Sequence, residues 1–131
     1  TEAPIDTMSI MTFFNRDNNF NFNNYSYLAQ AGTNGISSLI YHIQHQPNIN
    51  KIYLCYDNDE AGEQARQDAR SELQKIGYKG AVLDKIPIGN DFNDDLRKFI
   101  ENTAKQQQNK KQTQQKTTYN KENDKQCQIS Y

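Results

Sequence analysis

Apolar positions recur at helical or strand spacing as far as about residue 101 and then stop. After Pro4, the residues Ile5, Met8, Ile10, Met11 and Phe14 recur at helical spacing, so a short amphipathic helix with proline in its first turn is predicted. Arg16 to Asn24 reads as a loop, because six of its nine residues are Asn or Asp. Tyr25 to Gln30 alternates like a strand, and Ala31-Gly-Thr-Asn-Gly35 then supplies turn residues. A helix follows from Ile36 to Gln46, with Ile36, Leu39, Ile40 and Ile43 on one stripe, ended by Pro47.

Lys51 to Tyr56 is almost continuously apolar or aromatic, the pattern of a strand covered on both faces. Glu60 to Ile76 is the clearest helix, its inner face read as Ala61, Ala65, Ala69, Leu73 and Ile76, with Gly77 as its C′ residue. Ala81 to Ile86 reads as another strand, Pro87 to Asn90 as a loop, and Asp94 to Glu101 as a last helix. The alternation of strand and helix predicts an α/β fold with a small doubly wound parallel sheet and helices on both faces. Residues 1–102 form the expected domain, and 103–131, rich in Gln, Lys and Asn, are expected to be a disordered tail.

Charge sharpens this division. The chain of 131 residues is 34% hydrophobic and carries a net charge of −1. Residues 103–131 carry six lysines against Glu122 and Asp124, a net +4, which leaves the folded part at −5. An acidic domain argues against broad coating of nucleic acid, which needs a basic face, but not against a metal site, where bound cations reverse the local field. Cys55 and Cys127 are far apart and suggest neither a disulfide framework nor a zinc site. With no signal peptide or long apolar run, a soluble cytoplasmic protein is expected.

The strand at Lys51–Tyr56 ends in Asp57-Asn-Asp59. In an open parallel sheet, functional groups gather outside the carboxyl ends of strands. Magnesium binds through one or two carboxylates plus substrate phosphates, which a D-x-D pair suits. Asp59 as a helix cap beside a solvated Asp57 accounts for the spacing equally well. Glu2, ahead of the first helix, and Asp91, Asp94 and Asp95, after the last strand, are further acidic candidates for the same sheet edge. Their plain alternatives are an exposed terminal residue, and a turn and cap for the last helix. His42 and His45 share a helix face without an evident ligand partner and read as a surface pair. Tyr25, Tyr27, Tyr53 and Tyr56 have the chemistry to stack bases, but strand-core packing is the better account.

Four motifs in order, Glu2-Ala-Pro-Ile-Asp6, Ala31-Gly-Thr-Asn-Gly35, Tyr56-Asp-Asn-Asp-Glu-Ala-Gly62 and Gly89-Asn-Asp-Phe-Asn-Asp-Asp-Leu96, resemble those of the Toprim domain of topoisomerases and DnaG-type primases. The likeness spans residues 1–101 and is strongest to primase-like proteins of mobile genetic elements. It implies Glu2 as general acid or base in nucleotidyl transfer or strand cleavage, and Asp57 and Asp59 as Mg²⁺ ligands (Mn²⁺ as an alternative). Asp91 would be a weaker third ligand, and Asp6 a support for the site. DNA, and nucleotides through a parent protein, are the implied partners. Ala3, Asn90 and Asn93 depart from the family pattern, and the apolar strand that should carry the glutamate is missing, so an N-terminally truncated Toprim fragment is expected. A Toprim nuclease and a non-catalytic interaction module are the alternative functions. A phosphoacceptor receiver domain would need a lysine after a fifth strand, and the pattern has no fifth strand.

Overall fold

The computed structural model describes residues 1–16, 21–30 and 35–127. The expected turn at Ala31–Gly35 and the middle of the Arg16–Asn24 loop therefore lie largely outside the described residues. The chain divides into two compact units, Thr1–Leu96 and Arg97–Tyr131.

The first unit runs α1 (Pro4–Arg16), a 3-10 turn (Phe22–Asn24), α2 (Ile36–His45), β1 (Lys51–Leu54), α3 (Glu60–Lys75), β2 (Ala81–Asp84) and the start of α4 (Phe92–Cys127). β1 and β2 pair in parallel, Lys51 opposite Ala81 and Leu54 opposite Asp84. The pairing is prolonged at both ends: Ala81 N–H donates to Asn50 C=O and Lys85 N–H to Leu54 C=O, both at 2.9 Å. Arg70 of α3 ties the helix to β2 through Asp84 at 2.8 Å and the Val82 carbonyl at 3.0 Å.

Side chains of β1 alternate between two layers. Ile52, Leu54 and Tyr56 pack with Leu39 and Ile43 of α2 and Ala69 and Leu73 of α3. On the opposite face, Cys55 packs with Ile10 of α1 and Phe92, with Tyr53 partly buried beside them. Helices on both faces of a parallel sheet give the α/β architecture expected from the pattern.

Four local expectations are corrected. Tyr25–Gln30 is not a ladder-forming strand. Its backbone bonds to Thr1, whose terminal nitrogen donates to Leu28 C=O at 3.0 Å while Gln30 N–H donates to Thr1 C=O at 2.9 Å. Those two bonds form a one-residue parallel bridge centred on Ala29. Second, α1 is turned differently on its axis: it buries Asp6, Ser9 and Ile10 and leaves Ile5 and Met8 exposed. The reason is polar, because Asp6 accepts a hydrogen bond from Asn93 N–H. Third, the buried stripe of α3 is Gly62, Arg66, Ala69 and Leu73, and Ala61 faces out.

The fourth correction concerns the start of α4, which is Phe92 rather than Asp94; the helix is Phe92–Cys127. No Gly or Pro interrupts residues 92–127, and Gln, Lys and Glu are good helix formers.

The C-terminal end of α3 matches expectation. Gly77 adopts a φ of 74°, and the bonds Tyr78 N–H to Leu73 C=O and Gly77 N–H to Gln74 C=O, both 3.0 Å, make a Schellman cap.

Candidate metal centre

Three segments meet beyond the carboxyl end of β1: the start of α1, the turn from Asp57 to α3, and the loop that leads into α4. Hydrogen bonds tie them together. Asn58 N–H donates to Asn90 C=O at 2.8 Å, joining the second segment to the third. Asp6 joins the first to the third through Asn93 N–H at 3.3 Å.

Asp57 stands at the centre. Its Oδ1 is buried without a hydrogen-bond partner among the described residues. Burial first, and then the negative charges of Asp6, Glu2, Asp91 and Asp59, push its pKa up to about 6. A carboxylate with one buried, unpartnered oxygen among four like charges is a strong candidate for a cation ligand.

The backbone at Asp57 is fixed from α3. A Cβ on Gly62 would lie 2.1 Å from Asp57 C=O, so glycine is required for the helix to approach this closely. One turn later, Arg66, only 4% exposed, donates to Asp57 C=O at 3.0 Å and Tyr56 C=O at 3.4 Å, and pairs with Glu63 at 3.0 Å. Sequence reasoning missed Arg66. Its position four residues after Gly62, on the same face, was the available signal.

Asp59 is the N-cap of α3, its Oδ1 accepting Gly62 N–H at 2.7 Å. Asp91 caps α4 in the same way, accepting Asp94 N–H at 2.6 Å, with Asp95 N–H on its carbonyl at 3.3 Å. The cap weighed for Asp59 is thus realised, although Asp57 beside it is not solvated, and the last helix is capped by Asp91 rather than by Asn93 or Asp94; each cap uses one carboxylate oxygen. Asp95 braces the preceding loop with both carboxylate oxygens, accepting Ile88 N–H and Gly89 N–H at 2.7 Å each. Asp6 is 3% exposed, and burial, then the nearby Asp91 charge, raises its pKa against the effect of the Asn93 bond. Glu2 is half-buried and follows directly on the Thr1 bridge, which positions its backbone.

The donor set of carboxylates around an unpaired buried oxygen suits a hard divalent cation. Among the described residues, however, no three His, Cys, Asp or Glu side chains converge closely enough to ligate one ion. The fit is therefore to a cation held by one or two carboxylates and completed by water and phosphate oxygens. His42 and His45 stand apart from this cluster, on α2: His45 stacks on Tyr41 with centroids 3.9 Å apart and has Nδ1 2.8 Å from the Tyr41 carbonyl. No described helix is long and apolar enough to cross a membrane.

An α/β unit with acidic residues gathered at the carboxyl end of a parallel strand suits a metal-dependent domain. The family model described as Toprim-like matches residues 1–96, the whole first unit, and the chain belongs to this family. Membership implies a metal-dependent domain that acts on nucleic acid. No curated protein and no solved structure matches the chain.

Proposed function

We propose that residues 1–96 are the Mg²⁺-dependent catalytic domain of a DNA primase-like protein, of the kind carried by mobile genetic elements and working in the cytoplasm, and that it performs nucleotidyl transfer. The observation that carries this reading is the unpaired, buried Asp57 Oδ1 facing Glu2, Asp6, Asp59 and Asp91. Asp57, Asp59 and Asp91 would hold the cation, Mg²⁺ or Mn²⁺. A bound divalent ion supplies charge neutralisation at the transferring phosphate.

The remaining chemistry belongs to the chain. Glu2 would be the general acid or base, and the bonds of the preceding Thr1 to Leu28 and Gln30 support this reading. Asp6 does not ligate in this reading. It holds the Asn93 backbone and so fixes the acidic loop against α1. Arg66 positions Asp57 through the carbonyls of Tyr56 and Asp57.

Calorimetric titration with MgCl₂ tests the metal claim: saturable binding is expected, with loss in an Asp57→Asn, Asp59→Asn double variant. An unchanged isotherm in that variant overturns it. Incubation of labelled single-stranded DNA with Mg²⁺, with and without nucleotides, tests the reaction. Nucleotide-dependent extension supports the primase reading, and shortening supports a Toprim nuclease. That no three such ligands converge among the described residues favours a second reading, a non-catalytic interaction module. Undetectable metal binding in the unsubstituted chain would establish that reading instead.

A further inference from the structure

Resting on the nucleic-acid reading of this domain, we propose that Ile88 is a strand contact, an apolar wedge that packs on the face of an unpaired base beside the acidic cluster. It deepens that reading by naming the part of a strand that the domain holds and the side chain that holds it.

Ile88 is 95% exposed. Ile86, two residues earlier, is exposed as well, while Pro87 between them is buried. A single apolar side chain in water is ordinary on a protein surface. What sets Ile88 apart is how firmly the backbone that carries it is held.

Three anchors fix the loop. The ring of the buried Pro87 locks its φ. Both oxygens of Asp95 are spent on the next two residues, accepting Ile88 N–H and Gly89 N–H at 2.7 Å each. Asn90 C=O then accepts Asn58 N–H at 2.8 Å, one residue from Asp57. Leaving the side chain in water forgoes the burial that would stabilise the fold, yet the loop beneath it is clamped. Such a group meets a partner with little ordering cost.

The place of the loop identifies the partner. Ile88 precedes Asn90 by two residues and Asp91 by three, so roughly 7 Å of chain at most separates it from the bond that joins the loop to Asn58. A strand with one phosphate at the acidic residues brings a neighbouring base within reach of Ile88. Isoleucine is among the apolar side chains that wedge against bases, and every base has a face to offer. The acidic residues repel phosphates, so a contact that needs no charge suits this rim. Two isoleucines are a small surface for a protein partner, which buries about 800 Å² on each side of a stable interface.

The chain has no tryptophan, so Ile88→Trp places a single indole at the loop, and Tyr41→Trp places one on the exposed face of α2 as a control. Each is titrated in MgCl₂, without nucleotides, with a mixed-sequence single strand of about 12 nucleotides and with the same strand made abasic. Quenching of the Ile88→Trp emission by the normal strand alone is expected, with the Tyr41→Trp emission unchanged. By fluorescence anisotropy, Ile88→Ala is expected to bind the labelled normal strand about tenfold more weakly than the parent chain, with Tm unchanged. The slope of log Kd against log salt is expected to stay the same, because no phosphate contact is lost. If the parent chain binds the strand while Ile88→Ala binds equally well, or the indole at 88 does not respond, the wedge is overturned and the nucleic-acid reading stands. Equal quenching by the abasic strand overturns the contact with a base. A parent chain that binds neither strand overturns both readings together.

Discussion

At the residue scale, Asp57 links the stability of the fold to its chemistry. Its carboxyl has a pKa of about 6 in the folded chain against 3.8 as a free side chain. Between these values the unfolded chain releases the proton first, so stability falls as pH rises from about 4 to 6 and the penalty is fully present above 6. Asp57→Asn is therefore expected to stabilise the metal-free protein at pH 7.5 by on the order of 1–2 kcal/mol after solvent screening, with no gain at pH 3.5. Urea denaturation at the two pH values checks this; an equal effect at both would show that the carboxylate is not strained by its neighbours. The same competition between proton and cation predicts that Mg²⁺ affinity weakens as pH drops through 6.

Gly62 is the other decisive single position. Gly62→Ala puts a methyl 2.1 Å from the Asp57 carbonyl, inside any tolerable contact. A loss of roughly 2–4 kcal/mol is expected, in the range for backbone clashes at buried sites. Thermal unfolding that leaves Tm within a degree of the parent chain would rule out the close approach. In the sequence this glycine was legible as part of the D-x-D-x-A-G pattern, but the contact it permits was not.

At the element scale, the caps explain why an acidic motif is hard to interpret from spacing. Asp59 and Asp91 each end a loop and start a helix, and each spends one oxygen on the backbone N–H three residues on. Capping and metal binding are compatible on a two-oxygen side chain, so the two alternatives are not exclusive. Asp59→Asn keeps an acceptor for Gly62 N–H and removes the charge, while Asp59→Ala removes both. The alanine variant is expected to lose about 1 kcal/mol of stability and the asparagine variant much less, with both losing metal affinity. Chemical denaturation paired with calorimetry separates the two effects; equal stability of the variants would argue against the cap.

The orientation of α1 shows the limit of reading periodicity alone. Its apolar positions predicted one buried face, yet Asp6 and Ser9 are buried and Met8 is exposed. A local pattern cannot anticipate that Asn93, 87 residues away, needs an acceptor for its N–H. Arg66 went unrecognised for a similar reason. A charged residue in the middle of a helix reads as solvent-facing until carbonyls from another element are seen to converge on it.

At the scale of the whole molecule, the first unit holds its acidic residues together by structure, against their mutual repulsion. Such an arrangement is stabilised by whatever neutralises it. Ligand binding to the folded state alone adds about 2.7 kcal/mol at a hundredfold excess over Kd. Millimolar Mg²⁺ is accordingly expected to raise Tm by several degrees, and the Asp57→Asn, Asp59→Asn double variant to lose that gain. Differential scanning fluorimetry over a MgCl₂ series provides the check, and a Tm that ignores the ion in the parent chain would sink the prediction.

The amino-acid order by itself determined the α/β alternation, the positions of α2, β1, α3 and β2, the Gly77 cap and the acidic motifs, because these depend on local periodicity and on residues adjacent in the chain. It also carried the Toprim resemblance. Tertiary structure decided which of those acidic residues meet. Asp57 Oδ1 is buried without a partner among the described residues, Asp59 and Asp91 cap helices, Asp95 braces a loop and Asp6 reaches across to the start of α4. It also decided that Thr1 pairs with the 28–30 segment. Those outcomes depend on hydrogen bonds and burial between segments far apart in sequence, which no pattern within a single element contains.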